Sequence, residues 1–77
     1  MIKAFRIVTE YEHTSPFIGC ATYPTVEAAC ENVDPAIGKR TWICPVTVLE
    51  GGEIHADHFA SEYLVAENGR GVGPLAP

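Results

Sequence analysis

The residue types able to do chemistry in this 77-residue chain gather between positions 40 and 59. His55-Ala56-Asp57-His58 is the nearest approach to a metal constellation. On an extended strand His55 and Asp57 point to one side and His58 to the other, because side chains alternate with a period of two. Two same-side ligands make half a site, whereas zinc takes a third and usually a fourth. The remaining histidine, His13, belongs to a distant loop. The pattern reads as a polar strand surface. A metal-dependent protein using His55, Asp57 and His58 ranks third among the functions considered, and no cofactor is expected.

The three cysteines, Cys20, Cys30 and Cys44, are odd in number and lack a C-x-x-C spacing. That argues against a secreted disulfide framework and for a reducing cytoplasm. Each lies in an apolar stretch, where a free thiol behaves as a small hydrophobe. No local base is present to lower a thiol pKa, so none is assigned as a nucleophile. The carboxylate pairs Glu10/Glu12 and Glu50/Glu53 sit at a strand end and a turn, not in the cleft that a glycosidase-type pair requires. Gly51-Gly52 and Gly69-x-Gly71 open no helix and precede no Lys-Ser/Thr, so neither is a phosphate loop. No catalytic residue is assigned, and the chain reads as a non-enzyme.

Charge is the remaining signal. Ten acids against five bases give a net charge of −5, and the bases are scattered. A protein that tracks phosphates needs clustered Lys and Arg, so direct nucleic-acid binding is disfavoured. Glu10, Glu12, Glu50, Glu53, Asp57, Glu62 and Glu67 form an acidic rim suited to the basic surface of a larger protein. The exposed members of Tyr11, Tyr23, Trp42 and Tyr63 would then act as anchors, since aromatic side chains dominate interface hot spots. The candidate partner-binding set is Glu10, Glu12, Glu50, Glu53, Asp57, Glu62 and Tyr63.

The elements that must carry these residues follow from periodicity. Residues 2–11 alternate as a strand, with Phe5, Ile7, Thr9 and Tyr11 on one face and Ile2, Ala4, Arg6, Val8 and Glu10 on the other. His13-Thr14-Ser15-Pro16 is turn chemistry. Residues 17–23 resume as a strand, with Gly19 marking a bulge or a close backbone approach. A helix follows over residues 24–33, capped by Thr25, with Val26, Ala29, Cys30 and Val33 as its apolar stripe. Asp34-Pro35 stops it, because a residue before proline avoids the helical region. Residues 42–49 and 54–59 form a hairpin about a tight two-residue glycine turn, with Trp42, Cys44, Val46 and Val48 as its apolar face. Pro45 marks an edge strand or a bulge. Residues 60–69 suit either a short helix, with Phe59, Tyr63 and Ala66 along it and a glycine cap at Asn68-Gly69, or a last strand over residues 63–67 with an Asn68-Gly69 turn, and extended structure is preferred.

The sum is an α+β domain, an antiparallel sheet of about four strands with one short helix on one face, in the order ββαββ. Residues 1–69 form a single compact domain and residues 70–77 a fraying Gly/Pro tail. A chain this short buries only about 60% of its unfolded surface, which leaves no room for a large enclosed cleft. Both faces of the first strand are apolar and one short helix cannot cover a sheet, so self-association through the uncovered face or an edge strand, as a homodimer, is the alternative to a foreign partner. The N-terminal residues lack the apolar run of a signal peptide and no segment reaches membrane-spanning length, so a soluble cytoplasmic protein without a membrane partner is expected.

The layout is familiar in kind. A strand opens the chain, Thr22-Tyr23-Pro24-Thr25-Val26-Glu27-Ala28-Ala29 leads into one helix, an antiparallel hairpin follows, and the whole is acidic without an enzyme motif. This resembles the small phage-encoded inhibitors of bacterial defence, anti-CRISPR proteins among them. The resemblance implies binding to a nucleic-acid-handling complex and blocking its substrate or its movement. It transfers no functional residues.

Overall fold

The computed structural model describes residues 2–56 and 64–76. In chain order the elements are β1 (Ile2–Glu10), β2 (Phe17–Ile18), α1 (Val26–Cys30), β3 (Arg40–Val48), β4 (Ile54–Ala56), β5 (Leu64–Glu67), β6 (Arg70–Gly71) and a 3-10 turn at Gly73–Leu75. All six strands join one sheet in the order β2-β1-β3-β5-β6, with β4 also on β3. Every pairing is antiparallel. The α+β class with one short helix is observed. The expected four strands in ββαββ order are corrected to six in ββαββββ order, because residues 64–71 add a second hairpin.

β1 and β3 are the spine. They pair along their whole length, from Ile2 opposite Val48 to Glu10 opposite Arg40. Alternation then sorts their side chains onto two faces. On the first face Ile43 joins Ala29 of the helix and Val65 of β5, with Phe5, Ile7, Tyr23, Val26, Cys30, Val33 and Leu75 packed around them. On the second, Ala4, Val8, Cys44 and Val46 are buried together, flanked by Val48 and Ile54. The second face is therefore not open at its centre, contrary to the expected uncovered surface.

The central strand resolves the place of Pro45. Beyond β1, β3 pairs with β5 at residues 40–42 and with β4 at residues 46–48. Pro45 lies between these two partners. On its other side it faces Phe5, whose N–H and C=O both bond to Tyr23 at 2.8 Å. Phe5 and Pro45 are thus a non-hydrogen-bonded pair, and the missing proline N–H removes nothing from the β1–β3 ladder. Pro45 marks a change of partner in a central strand, in place of the expected edge or bulge.

The β3–β4 hairpin forms with Thr47 opposite His55 and Val48 opposite Ile54. Its loop has three residues, not two. Gly52 N–H donates to Leu49 C=O at 3.0 Å, and Leu49 N–H to Glu53 C=O at 2.7 Å. The tight two-residue turn occurs in the other hairpin, where Asn68 and Gly69 take φ of 53° and 81°. Positive φ at both central positions is what a type I′ turn needs. Opposite β3, the sheet register slips between Thr41 and Trp42, so Val65 is the extra residue of a bulge. The slip breaks alternation and lets consecutive Val65 and Ala66 both be buried.

Helix α1 is shorter than expected because its last turn tightens: Asn32 and Val33 N–H groups donate three residues back, to Ala29 and Cys30. The Thr25 hydroxyl accepts from Ala28 N–H at 3.0 Å, as an N-cap should. Thr25→Ala is expected to lower stability by about 1 kcal/mol, a melting shift of about 4–8 °C in a domain this small, read by calorimetry. Thr25→Ser should restore it.

Two further segments differ from expectation. Of residues 17–23 only Phe17–Ile18 form a strand, with one isolated bridge from Tyr23 to Phe5. Between them Gly19 N–H donates to Ile7 C=O at 2.8 Å, the close approach its type suggested. Residues 70–76 are not outside the domain. Val72 N–H donates to Val65 C=O at 2.9 Å and Leu75 packs on the helix-side core.

Candidate docking groove

The acidic candidates divide between the two ends of the sheet. Glu10 ends β1 beside Arg40 at the start of β3, and Glu67 is opposite Arg40 on β5. Arg70 faces Glu67 in turn, so one end carries a cross-strand ladder of alternating sign, Glu10-Arg40-Glu67-Arg70. Arg40 Nε sits 3.0 Å from Glu10 Oε1 but its N–H does not point along that line, leaving an ion pair without a hydrogen bond. Glu10 is thereby matched to Arg40 within the sheet, and Glu67 lies between Arg40 and Arg70 in the register.

Glu50 and Glu53 project from the hairpin at the other end, eight residues further along β3, about 26 Å at the usual rise of a strand. Glu53 Oε1 lies 3.5 Å from His55 Nε2, with both side chains exposed. Asp57, His58, Glu62 and Tyr63 lie outside the described residues. Among the described residues no three metal-ligating side chains come together.

The three thiols sit in different surroundings. Burial, and secondarily the Glu27 carboxylate, push the Cys30 thiol above its ordinary pKa and hold it protonated at neutral pH. Cys44 is buried and its Sγ lies 3.6 Å from the Pro45 carbonyl oxygen, while Cys20 is exposed.

A different site emerges on the helix side of the sheet. A cleft of about 270 Å³ is lined by Ile7, Thr9, Tyr11, Phe17, Val33 and Ile37, with Asn32 and Asp34 on its margin. Three of these are large apolar side chains left open: Phe17 is 59% exposed, Ile37 50% and Tyr11 39%. β1 carries Ile7 and Thr9 into the floor, and the connection after α1 supplies the opposite wall. That connection is pinned by Ala36 N–H to Asp34 Oδ1 at 3.0 Å and by Lys39 N–H to Glu10 C=O at 2.7 Å.

Of the aromatic residues considered as anchors, Tyr11 is in this cleft, Tyr23 is drawn into the core and Trp42 is half-buried. Phe17 and Ile37 were not singled out by sequence. The available signal was an apolar residue in a turn-rich connection with no periodic partner, together with a phenylalanine directly after Pro16.

Fold and site together define a small α+β domain of net charge −5 with a shallow, partly apolar cleft among its described residues. Compared with known proteins, the chain matches no family model, no curated protein and no solved structure. No helix among the described residues is long and apolar enough to cross a membrane.

Proposed function

We propose that this chain is a non-enzymatic binding domain that occupies a basic surface of a larger, nucleic-acid-handling protein. In its particular form it acts as a phage or mobile-element inhibitor of the anti-CRISPR kind, in the bacterial cytoplasm. The observation that carries the reading is the cluster of open apolar side chains, Tyr11, Phe17 and Ile37, around one cleft of a protein with net charge −5. Exposed apolar groups gathered at one place mark interaction surfaces, and acidic surroundings favour a basic counterpart. The inhibitor form is further supported by the layout of the chain: strand, single helix, antiparallel hairpin.

Affinity capture from a bacterial lysate at low and moderate salt, with the bound protein identified and titrated, tests this. One basic, nucleic-acid-handling protein is expected, its retention falling as salt rises. Because the two acidic ends are more than a Debye length apart, charge reversal at one end alone should weaken the complex. Glu12→Lys with Glu31→Lys probes the cleft end, and Glu50→Lys with Glu53→Lys the hairpin end. An affinity loss of about fivefold or more from one pair, with unchanged melting temperature, is the expected result. Undiminished affinity with both ends reversed would remove the acid-driven reading.

Self-association is the second reading, favoured by Phe17 and Ile18 lying exposed on the edge strand β2. A concentration-dependent mass in sedimentation, abolished by Ile18→Lys, would support it.

A further inference from the structure

Several open depressions mark the surface of the described residues. One, of about 490 Å³, is bounded by Arg70, Gly71, Val72 and Leu75, where the C-terminal segment folds back. It carries no group that selects a ligand beyond one arginine. A second, of about 320 Å³, lies between Ile2, Lys3, Tyr23, Pro24 and Val48 at the start of β1 and is likewise without convergent polar groups. Another is the cleft between β1 and the connection after α1, and it differs in having an apolar floor with one carboxylate, Asp34, in its lining.

Its size limits the occupant. At about 270 Å³ and open to solvent, the cleft is at the small end of the roughly 300–1,000 Å³ of ligand sites, and it suits one large side chain of a longer ligand. Ile7, Val33, Tyr11, Phe17 and Ile37 would surround that side chain on several sides. Polarity at the margin specifies its neighbours. Asp34 lines the cleft directly; Glu31 and Glu12 are exposed and adjoin the lining residues Asn32 and Tyr11 in the chain, with Glu12 Oε2 3.9 Å from His13 Nε2.

A second copy of this chain is a poor occupant. A two-fold contact through this surface would set the same acidic margins against each other. The complementary ligand is apolar at one position and basic beside it.

We propose that this cleft is the seat of the partner contact, and that it takes a protein segment presenting one Phe, Leu or Ile side chain with Lys or Arg within one or two residues. This rests on the binding-domain reading above and deepens it by assigning the contact to the cleft end and not to the hairpin tip. The apolar side chain supplies the anchor and the basic neighbours supply salt-dependent encounter, the usual division between a desolvated centre and a charged rim.

Selection of a random peptide library displayed on phage against the immobilised full chain tests the chemistry, and fluorescence anisotropy with the selected peptides tests the place. Enriched peptides should combine one large apolar residue with two or more nearby Lys or Arg. Phe17→Ser with Ile37→Ser should weaken the leading peptide about tenfold or more, and Glu12→Lys with Glu31→Lys about threefold or more. Glu50→Lys with Glu53→Lys should leave it unchanged. Both serine sites are half-exposed or more, and a thermal melt verifies folding; Ile37→Ser alone serves if the double variant is unfolded.

Enrichment of peptides without basic residues, no enrichment at all, or equal binding by the serine variants would overturn the proposal. A wild-type dimer dissolved by the serine variants would overturn it in favour of a second copy. If a lysate partner is lost on reversal of Glu50 and Glu53 yet binds the serine variants normally, the cleft assignment fails while the binding-domain reading stands.

Discussion

Replacing Ile43 by alanine is expected to lower stability by about 3–4 kcal/mol, enough to leave a domain of this size largely unfolded at physiological temperature. Ile43 is fully buried at the one point where three elements meet: Ala29 of α1, Val65 of β5 and, directly opposite on β1, Ile7. Removing three carbons there opens a cavity that strand neighbours cannot close, because both β1 and β3 are held along nine residues of ladder. Urea unfolding provides the measurement. Ile37→Ala deletes the same atoms at a half-exposed site and should change stability by under about 1 kcal/mol. Similar losses for the two variants would contradict the core assigned to Ile43.

Gly38→Ala is the second large effect, about 2–4 kcal/mol, and it reaches the cleft as well as the fold. Gly38 has φ of 74°, in the left-handed region, and an added Cβ would clash with Thr9 Cγ2 and lie 3.0 Å from Glu10 backbone O. Any relief must move the connection away from β1, and Ile37 moves with it. Tyr11 Cε1, at 3.5 Å from the same point, would be disturbed on the opposite wall. Gly51→Ala isolates the steric part. Its φ of 92° imposes comparable backbone strain, yet nothing lies within 4 Å of its added Cβ. The difference between the two variants, about 1–3 kcal/mol, measures the close approach of the connection to β1. Equal losses would mean that the connection is not packed there. A Gly38→Ala protein that still folds should also lose affinity for the selected peptides, because the cleft wall is displaced.

Local chemistry made several features legible from sequence. The faces of β1, the Thr25 cap and the helix stripe Val26-Ala29-Cys30-Val33 all follow from spacings of two to four residues, and each is observed. The close approach at Gly19 and the extended Asn68-Gly69 hairpin follow from residue type in the same way. All but the Gly19 approach, whose partner Ile7 lies twelve residues back, depend on contacts among neighbours in the chain, so the chain pattern suffices to read them.

What only the tertiary structure decided depends on which distant segments become neighbours. Alternation placed Trp42, Cys44, Val46 and Val48 on one face of β3, but could not say that Ile43 on the opposite face would be buried by a helix, a strand and a C-terminal turn at once. The Gly/Pro composition of residues 70–76 suggested fraying, yet Leu75 reaches the core because β6 turns the chain back toward Val65. The acidic residues looked like one rim. Folding put Glu10 and Glu67 on either side of Arg40 and carried Glu50 and Glu53 to the far end of the sheet. The cleft is the furthest from sequence of all. Its walls come from β1, the start of β2 and the connection after α1, and no local period links Tyr11, Phe17 and Ile37. Sequence determines what each element buries; pairing β1 with β3 across the 29 residues between Glu10 and Arg40 determines which apolar side chains are left over, and where.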